Sequence, residues 1–184
     1  SEAIDIEFDL PQPGLHNQLN AAAARKTAEF LQIEKRFIDD ALKNFAGTKR
    51  RFEYKGDVHN APVYDDYAHH PTELNATIRA TREKYPDRKL TVVFQPHTYS
   101  RTKELRPEFV ESLSKADRVV LVPIYAARES NDGSINSEML VEELKQLGIE
   151  AFHFFTLEEA AAVVSESVDG DDIVLVMGAG DVTK

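Results

Sequence analysis

Three runs of consecutive apolar, largely β-branched residues constrain this chain most: LTVVFQP (Leu90–Pro96), RVVLVPI (Arg118–Ile124) and DIVLVMG (Asp172–Gly178). A strand apolar on both sides must be covered on both sides, and such strands belong to parallel sheets with helices over each face. Shorter strands are predicted at Pro62–Tyr64 and Ala151–Phe155. Helical patterns separate them over Thr72–Lys84, Thr102–Ser114, Ser137–Leu147 and Leu157–Ser165. The expected class is therefore α/β, with a mostly parallel sheet and helices on both faces.

The first part of the chain reads differently. Ala3–Phe8 alternates like a half-buried strand, closed by Pro11, Pro13 and Gly14. Leu15–Ile33 follows as a helix with Leu19, Ala22, Ala23, Phe30 and Ile33 on one face and Asn17 as its expected N-cap. Glu34–Phe45 makes a second helix, closed by Gly47. The basic, glycine-bounded GTKRRFEYKG stretch (Gly47–Gly56) is the candidate domain boundary.

Polar residues crowd the strand ends. Tyr64–His70 places six ionisable or hydrogen-bonding side chains in seven positions, Tyr64, Asp65, Asp66, Tyr67, His69 and His70. The next strand ends in QPHTYSRT, another in YAARESNDG, and the last in GAGD. Ligands of open α/β sheets bind at the carboxyl ends of strands, so His69, His70, His97, Arg101, Tyr125, Arg128, Glu129 and Asp181 are expected along one edge. Adjacent His69 and His70 point apart, which fits a zinc site poorly. Ser100, His97 and Asp66 lack the GxSxG elbow of a hydrolase, and GAGD lacks the GxGxxG spacing of a dinucleotide fingerprint. An anion site remains, with Arg101 four residues after His97, so that imidazole and guanidinium could share one carboxylate or phosphate. At the first long helix, His16, Asn17 and Asn20 sit where free backbone N–H groups favour anions or polar rings.

The formal charge of −10 argues against a nucleic-acid or anionic-membrane partner. No apolar run reaches the length of a membrane span. Cysteine is absent, which fits a reducing cytoplasm and leaves no thiol nucleophile.

PGLHNQLNA, RRFEYKG, DDYAHHPTE, FQPHTYSRT, IYAARE and VMGAGD together resemble the Mur ligases in order and spacing, most nearly their alanine-adding branch. The resemblance implies a Rossmann-like C-terminal domain at residues 53–184, preceded at 1–52 by a mainly helical remnant of the central ATP-binding domain. It implies ATP with Mg2+ as cofactors and an ATP-driven amide synthesis joining L-alanine to UDP-N-acetylmuramate through an acyl phosphate. Magnesium ligands are expected mainly outside this chain. By motif, His16, Asn17 and Asn20 would lie near adenine, Arg51 near the phosphates and Asp66 at the ribose. Tyr67, His69, His97 and Arg101 would line the site for the acceptor carboxyl and the amino acid, the last three as catalytic residues. Many relatives carry arginine where this chain has Thr98, which leaves Arg101 as the main guanidinium there. No GxxxxGK[ST] loop is present. The N-terminal domain and the phosphate loop of the central domain are therefore expected elsewhere in the same protein. A tripeptide-adding ligase, a folylpolyglutamate synthase-like enzyme and a non-catalytic α/β module are the alternatives.

Overall fold

The structure, a computed structural model, describes residues 8–182. The strand expected at Ala3–Phe8 therefore lies, but for Phe8, outside the described residues. Two helices come first, α1 (Leu15–Phe30) and α2 (Lys35–Lys43). A hairpin of β1 (Glu53–Val58) and β2 (Ala61–Asp66) leads into α3 (Pro71–Lys84), β3 (Lys89–Phe94), α4 (Tyr99–Glu104) and α5 (Arg106–Leu113). Then follow β4 (Arg118–Leu121), α6 (Ser137–Gln146), β5 (Glu150–His153), α7 (Leu157–Ser167) and β6 (Asp172–Met177).

The six strands form one sheet in the order β1-β2-β6-β3-β4-β5. Only β1 runs antiparallel to its neighbour. Alternation along each strand sorts the core into two layers. Val92, Phe94, Leu121 and Leu175 pack with Leu74 and Ile78 of α3, Phe109 and Leu113 of α5, and Leu140 and Leu144 of α6. Val93, Val120 and Val174 face the other way, onto Ala160 and Val164 of α7. Three helical connections move the chain across the sheet in one direction, and α7 carries it back to insert β6 between β2 and β3. Ile78 has no exposed surface. Ile78→Ala should cost about 2–5 kcal/mol in a urea denaturation series, since the rigid sheet beneath cannot collapse into the cavity.

Four expectations need correction. The boundary stretch yields a strand, β1, whose side chains are mostly outside the core; an edge strand held by its hairpin partner needs no apolar face. The helix expected at Thr102–Ser114 is two helices meeting at Leu105, because Pro107 in the first turn of α5 supplies no N–H and restricts the residue before it. Asn17 is not the N-cap of α1. That place is taken by Gly14 at φ 99°, and the Asn17 side chain reaches back to the Pro13 carbonyl at 2.7 Å. The apolar face read on α1 is only partly covered, for Ala22 is buried while Leu19 and Phe30 are exposed.

Candidate functional site

The carboxyl ends of β2 and β3 lie on opposite sides of β6, where the winding of the sheet reverses. At the end of β2, Asp66 turns inward and is 5% exposed. Its carboxylate accepts the Phe52 N–H at 2.9 Å and the Ala68 N–H at 2.8 Å. Burial pushes its pKa up, and these two N–H groups oppose the rise. Asp65 is held by the Arg50 guanidinium at 3.3 Å. Arg50 also donates to the Gly178 and Gly180 carbonyls, tying the linker to the last turn of the sheet.

Beyond the carboxylates, Tyr67 lies under Arg50 and Arg51, their guanidinium carbons 4.9 and 5.7 Å from its ring centre. His70 caps α3 in a capping box: its ring accepts the Thr72 N–H, while Glu73 accepts the His69 and His70 N–H groups. His69 does not cap the helix with its ring: Nδ1 lies 3.0 Å from the Tyr67 carbonyl and 3.5 Å from a Glu73 carboxylate oxygen. Its ring stands 5.7 Å from that of His97, which is stacked on Tyr125 at 5.6 Å. The two histidines thus diverge as expected, one to the helix and one to the strand-end corner.

His97 Nδ1 and Arg101 Nη1 are buried and have no hydrogen-bond partner among the described residues. Buried polar groups are rarely left so, and an anion in this corner would accept from the Arg101 guanidinium and from His97 in the tautomer with the proton on Nδ1. Burial, the His69 ring and the Arg101 charge together hold His97 below its ordinary pKa. His153, on β5, is likewise lowered by burial. The unfolded chain then binds more protons than the folded one as the pH drops. Stability from these neutral imidazoles is complete above 6.5 and is lost as the pH falls through their folded pKa values. Thermal midpoints should fall between about pH 7 and about pH 5.5, and His97→Gln should flatten part of that slope.

The other expected residues meet in a single cleft of 780 Å3 between α1, α2 and α3. His16, Asn17 and Asn20 enter from α1, Arg51 from the linker and Asp66 from β2. Ala21, Ala24, Ala41 and Leu42 give the cleft an apolar wall that suits a flat ring, with amide and imidazole groups to read its edge. Desolvation, Arg51 and Arg79 all lower the pKa of His16, favouring a neutral imidazole there. Among the described residues no group of three His, Asp or Glu could hold a metal ion, and no helix is long and apolar enough to cross a membrane.

Sequence reasoning gave no role to Gln95. Buried at the end of β3, it donates to Asp181 at 2.9 Å and accepts the Val182 N–H at 3.2 Å, bracing the GAGD turn. Gly180 packs against Gln95 and the Tyr125 ring, so its role is close approach within the chain itself. An amide at the end of an apolar strand was the available signal. The cap function of His70 was legible in its spacing from Glu73, with histidine in place of serine or threonine.

Comparison with known proteins follows this geometry. The family described as "Mur ligase, glutamate ligase domain" matches residues 50–180. A relative from Agathobacter rectalis named UDP-N-acetylmuramate–L-alanine ligase is 45% identical over 179 residues, 97% of this chain and 39% of its own. One of the same name from Clostridium acetobutylicum is 44% identical over 184 residues, 100% of this chain and 40% of its own. The crystal structure of UDP-N-acetylmuramate-alanine ligase from Thermotoga maritima superposes with a TM-score of 0.78 at 33% identity, covering 97% of this chain and 37% of that one. The chain thus spans about two fifths of the length of the curated relatives it matches. With the domain matched from the linker arginines to the GAGD turn, the chain belongs to the Mur ligase family.

Proposed function

We propose that this chain forms the nucleotide-facing and amino-acid-facing side of an ATP-dependent ligase that joins L-alanine to UDP-N-acetylmuramate in peptidoglycan precursor synthesis. One observation carries the reading: the five residues expected at the nucleotide converge on one cleft, with Asp66 and Tyr67 leading from it to the corner of His69, His97 and Arg101. The names of the relatives support the choice of substrates. Residues 1–52 would be the C-terminal part of the central ATP-binding domain, and 53–184 the C-terminal domain. The rest of the enzyme would come from other domains of the same protein, in the cytoplasm.

The cleft fits a nucleoside by its size, its apolar wall and its edge-reading groups. His16, Asn17 and Asn20 would hold the base, Asp66 the ribose and Arg51 the phosphates. ATP supplies the phosphoryl group that turns the muramate carboxylate into an acyl phosphate. Magnesium is expected with it, and we assign it no ligand in this chain. Arg101 and His97 hold carboxylate or phosphoryl charge in the strand-end corner, with His69 and Tyr67 beside them. Holding the alanine carboxylate fixed aims its amine at the acyl carbon, which converts encounter into orientation. The amine attacks, a proton leaves it, and phosphate departs. Arg101 would be the guanidinium of that contact.

The test is phosphate release by the complete enzyme with ATP, UDP-N-acetylmuramate and, in turn, alanine, glycine, serine and a tripeptide. Release with alanine above the others is expected. Release only with the tripeptide would replace alanine as substrate, and release with none would remove the ligase reading. The 184-residue chain by itself, without a phosphate loop, should release no phosphate from ATP.

A further inference from the structure

We propose that Glu129 is a positioning residue for the amino-acid end of the site, acting through the Thr98–Ser100 turn to hold His97 and Arg101 in place. The role rests on the ligase reading above and adds a residue to it. Three observations meet here.

The first is backbone strain. Thr98 has φ 69° and ψ 142°, the one β-branched residue with positive φ among the described residues. That conformation disfavours any side chain, and a branched one most. It occurs between His97 and Arg101, so the kink sets the angle between the two groups that face the anion corner. Such strain persists only where the surroundings over-determine it.

The second is what does the holding. The Thr98 N–H donates to the Tyr125 carbonyl at 2.9 Å, and the Tyr125 N–H donates to Pro96 at 2.8 Å. The Thr98 carbonyl accepts both the N–H and the hydroxyl of Thr102. Across the gap, one Glu129 oxygen accepts the Ser100 N–H at 2.9 Å, and the other accepts the Ser100 hydroxyl. Glu129 is itself fixed by a turn, its N–H donating to Ala126 at 2.9 Å around Ala127 at φ 52°. Two strained turns from neighbouring strands are thus laced together, and Glu129 closes the lacing at its outer end.

The third is electrostatic economy. A carboxylate here could pair with the Arg101 guanidinium and withhold it from an anion; its charge does reach His97, whose pKa it raises against the larger lowering causes. Both Glu129 oxygens are committed to Ser100, and these bonds hold its pKa below the usual carboxylate range. Arg101 Nη1 meanwhile has no partner among the described residues. Glu129 therefore fixes the turn without neutralising the guanidinium.

The experiment uses the complete enzyme and three variants, Glu129→Ala, Glu129→Gln and Ser100→Ala. Glu129→Ala should raise KM for L-alanine about tenfold or more, a loss typical of a group displaced by a fraction of an ångström, while KM for ATP moves by less than about twofold. Glu129→Gln should recover part of the loss, since its amide oxygen still accepts the Ser100 N–H. The double variant with Ser100→Ala should be no worse than Glu129→Ala alone. An unchanged alanine KM, equal rises in both KM values, or additive single effects would each overturn the role. Hydrogen exchange over residues 98–102 reads the same coupling without the reaction: it should quicken in Glu129→Ala, and wild-type rates there would sink the idea whatever the kinetics. Wild-type enzyme lacking any alanine-dependent phosphate release would instead defeat the ligase reading, leaving exchange to decide whether Glu129 holds the turn.

Discussion

Arg101→Ala in the complete ligase should lower kcat/KM by about 100-fold or more, the scale for a charged group that meets developing or substrate charge in a dry corner. Stability should change by less than about 1 kcal/mol. The two effects separate because Nη1 of Arg101 is buried with no partner in the described chain. Removing it forfeits no internal hydrogen bond there and relieves an uncompensated charge. A merely structural arginine would show the reverse. Arg88 is such a case, since it donates to the Asn60 and Asp172 carbonyls at 3.3 and 2.9 Å. The comparison variant is Lys145→Ala, an exposed cation in the last turn of α6. Steady-state kinetics and a thermal melt on the same preparations decide the matter, and a loss of turnover no larger than that of Lys145→Ala would take Arg101 out of the mechanism.

Gly180→Ala is expected to destabilise by about 1–3 kcal/mol, as overpacking of a filled site does, and to lower the thermal midpoint by roughly 5 °C. A Cβ at this position would stand 2.3 Å from Gln95 Oε1 and 2.8 Å from the Tyr125 ring. Neither neighbour yields cheaply. Gln95 is held at both ends by Asp181 and Val182, and Tyr125 is stacked on His97. Displacement of Tyr125 should carry into His97, so activity falls with stability. Gly170→Ala is the control, for its Cβ would meet only Asn60 at an ordinary 3.7 Å. Equal melts for the two variants would contradict the close approach.

The parallel core was legible because its strands carry apolar residues on both faces, and nothing but a covered sheet accommodates them. β1 was not, since EYKGDV is a polar edge whose order comes from backbone pairing with β2 across a hairpin. The break at Leu105 was written in Pro107, but helical periodicity on both sides concealed it. At the site, motif and position gathered His16, Asn17, Asn20, Arg51 and Asp66, and the cleft joins them. Pattern could not reveal that Asp66 is cinched by two backbone N–H groups, or that Glu129 reaches Ser100 from another strand end. Those contacts depend on two loops meeting, which periodicity does not encode.

The place of β6 in the sheet has a consequence during synthesis. β6, made after the other described strands, pairs with both β2 and β3. Until Asp172–Met177 emerges, the slot between them stays open and two apolar strands present bare edges. Pairings so distant in sequence form slowly, and exposed edges of this kind invite association with other chains. Closure of this sheet therefore waits until Asp172–Met177 has been made. A premature stop before residue 172 would yield an aggregating chain that calls on chaperones, in place of a merely weakened enzyme.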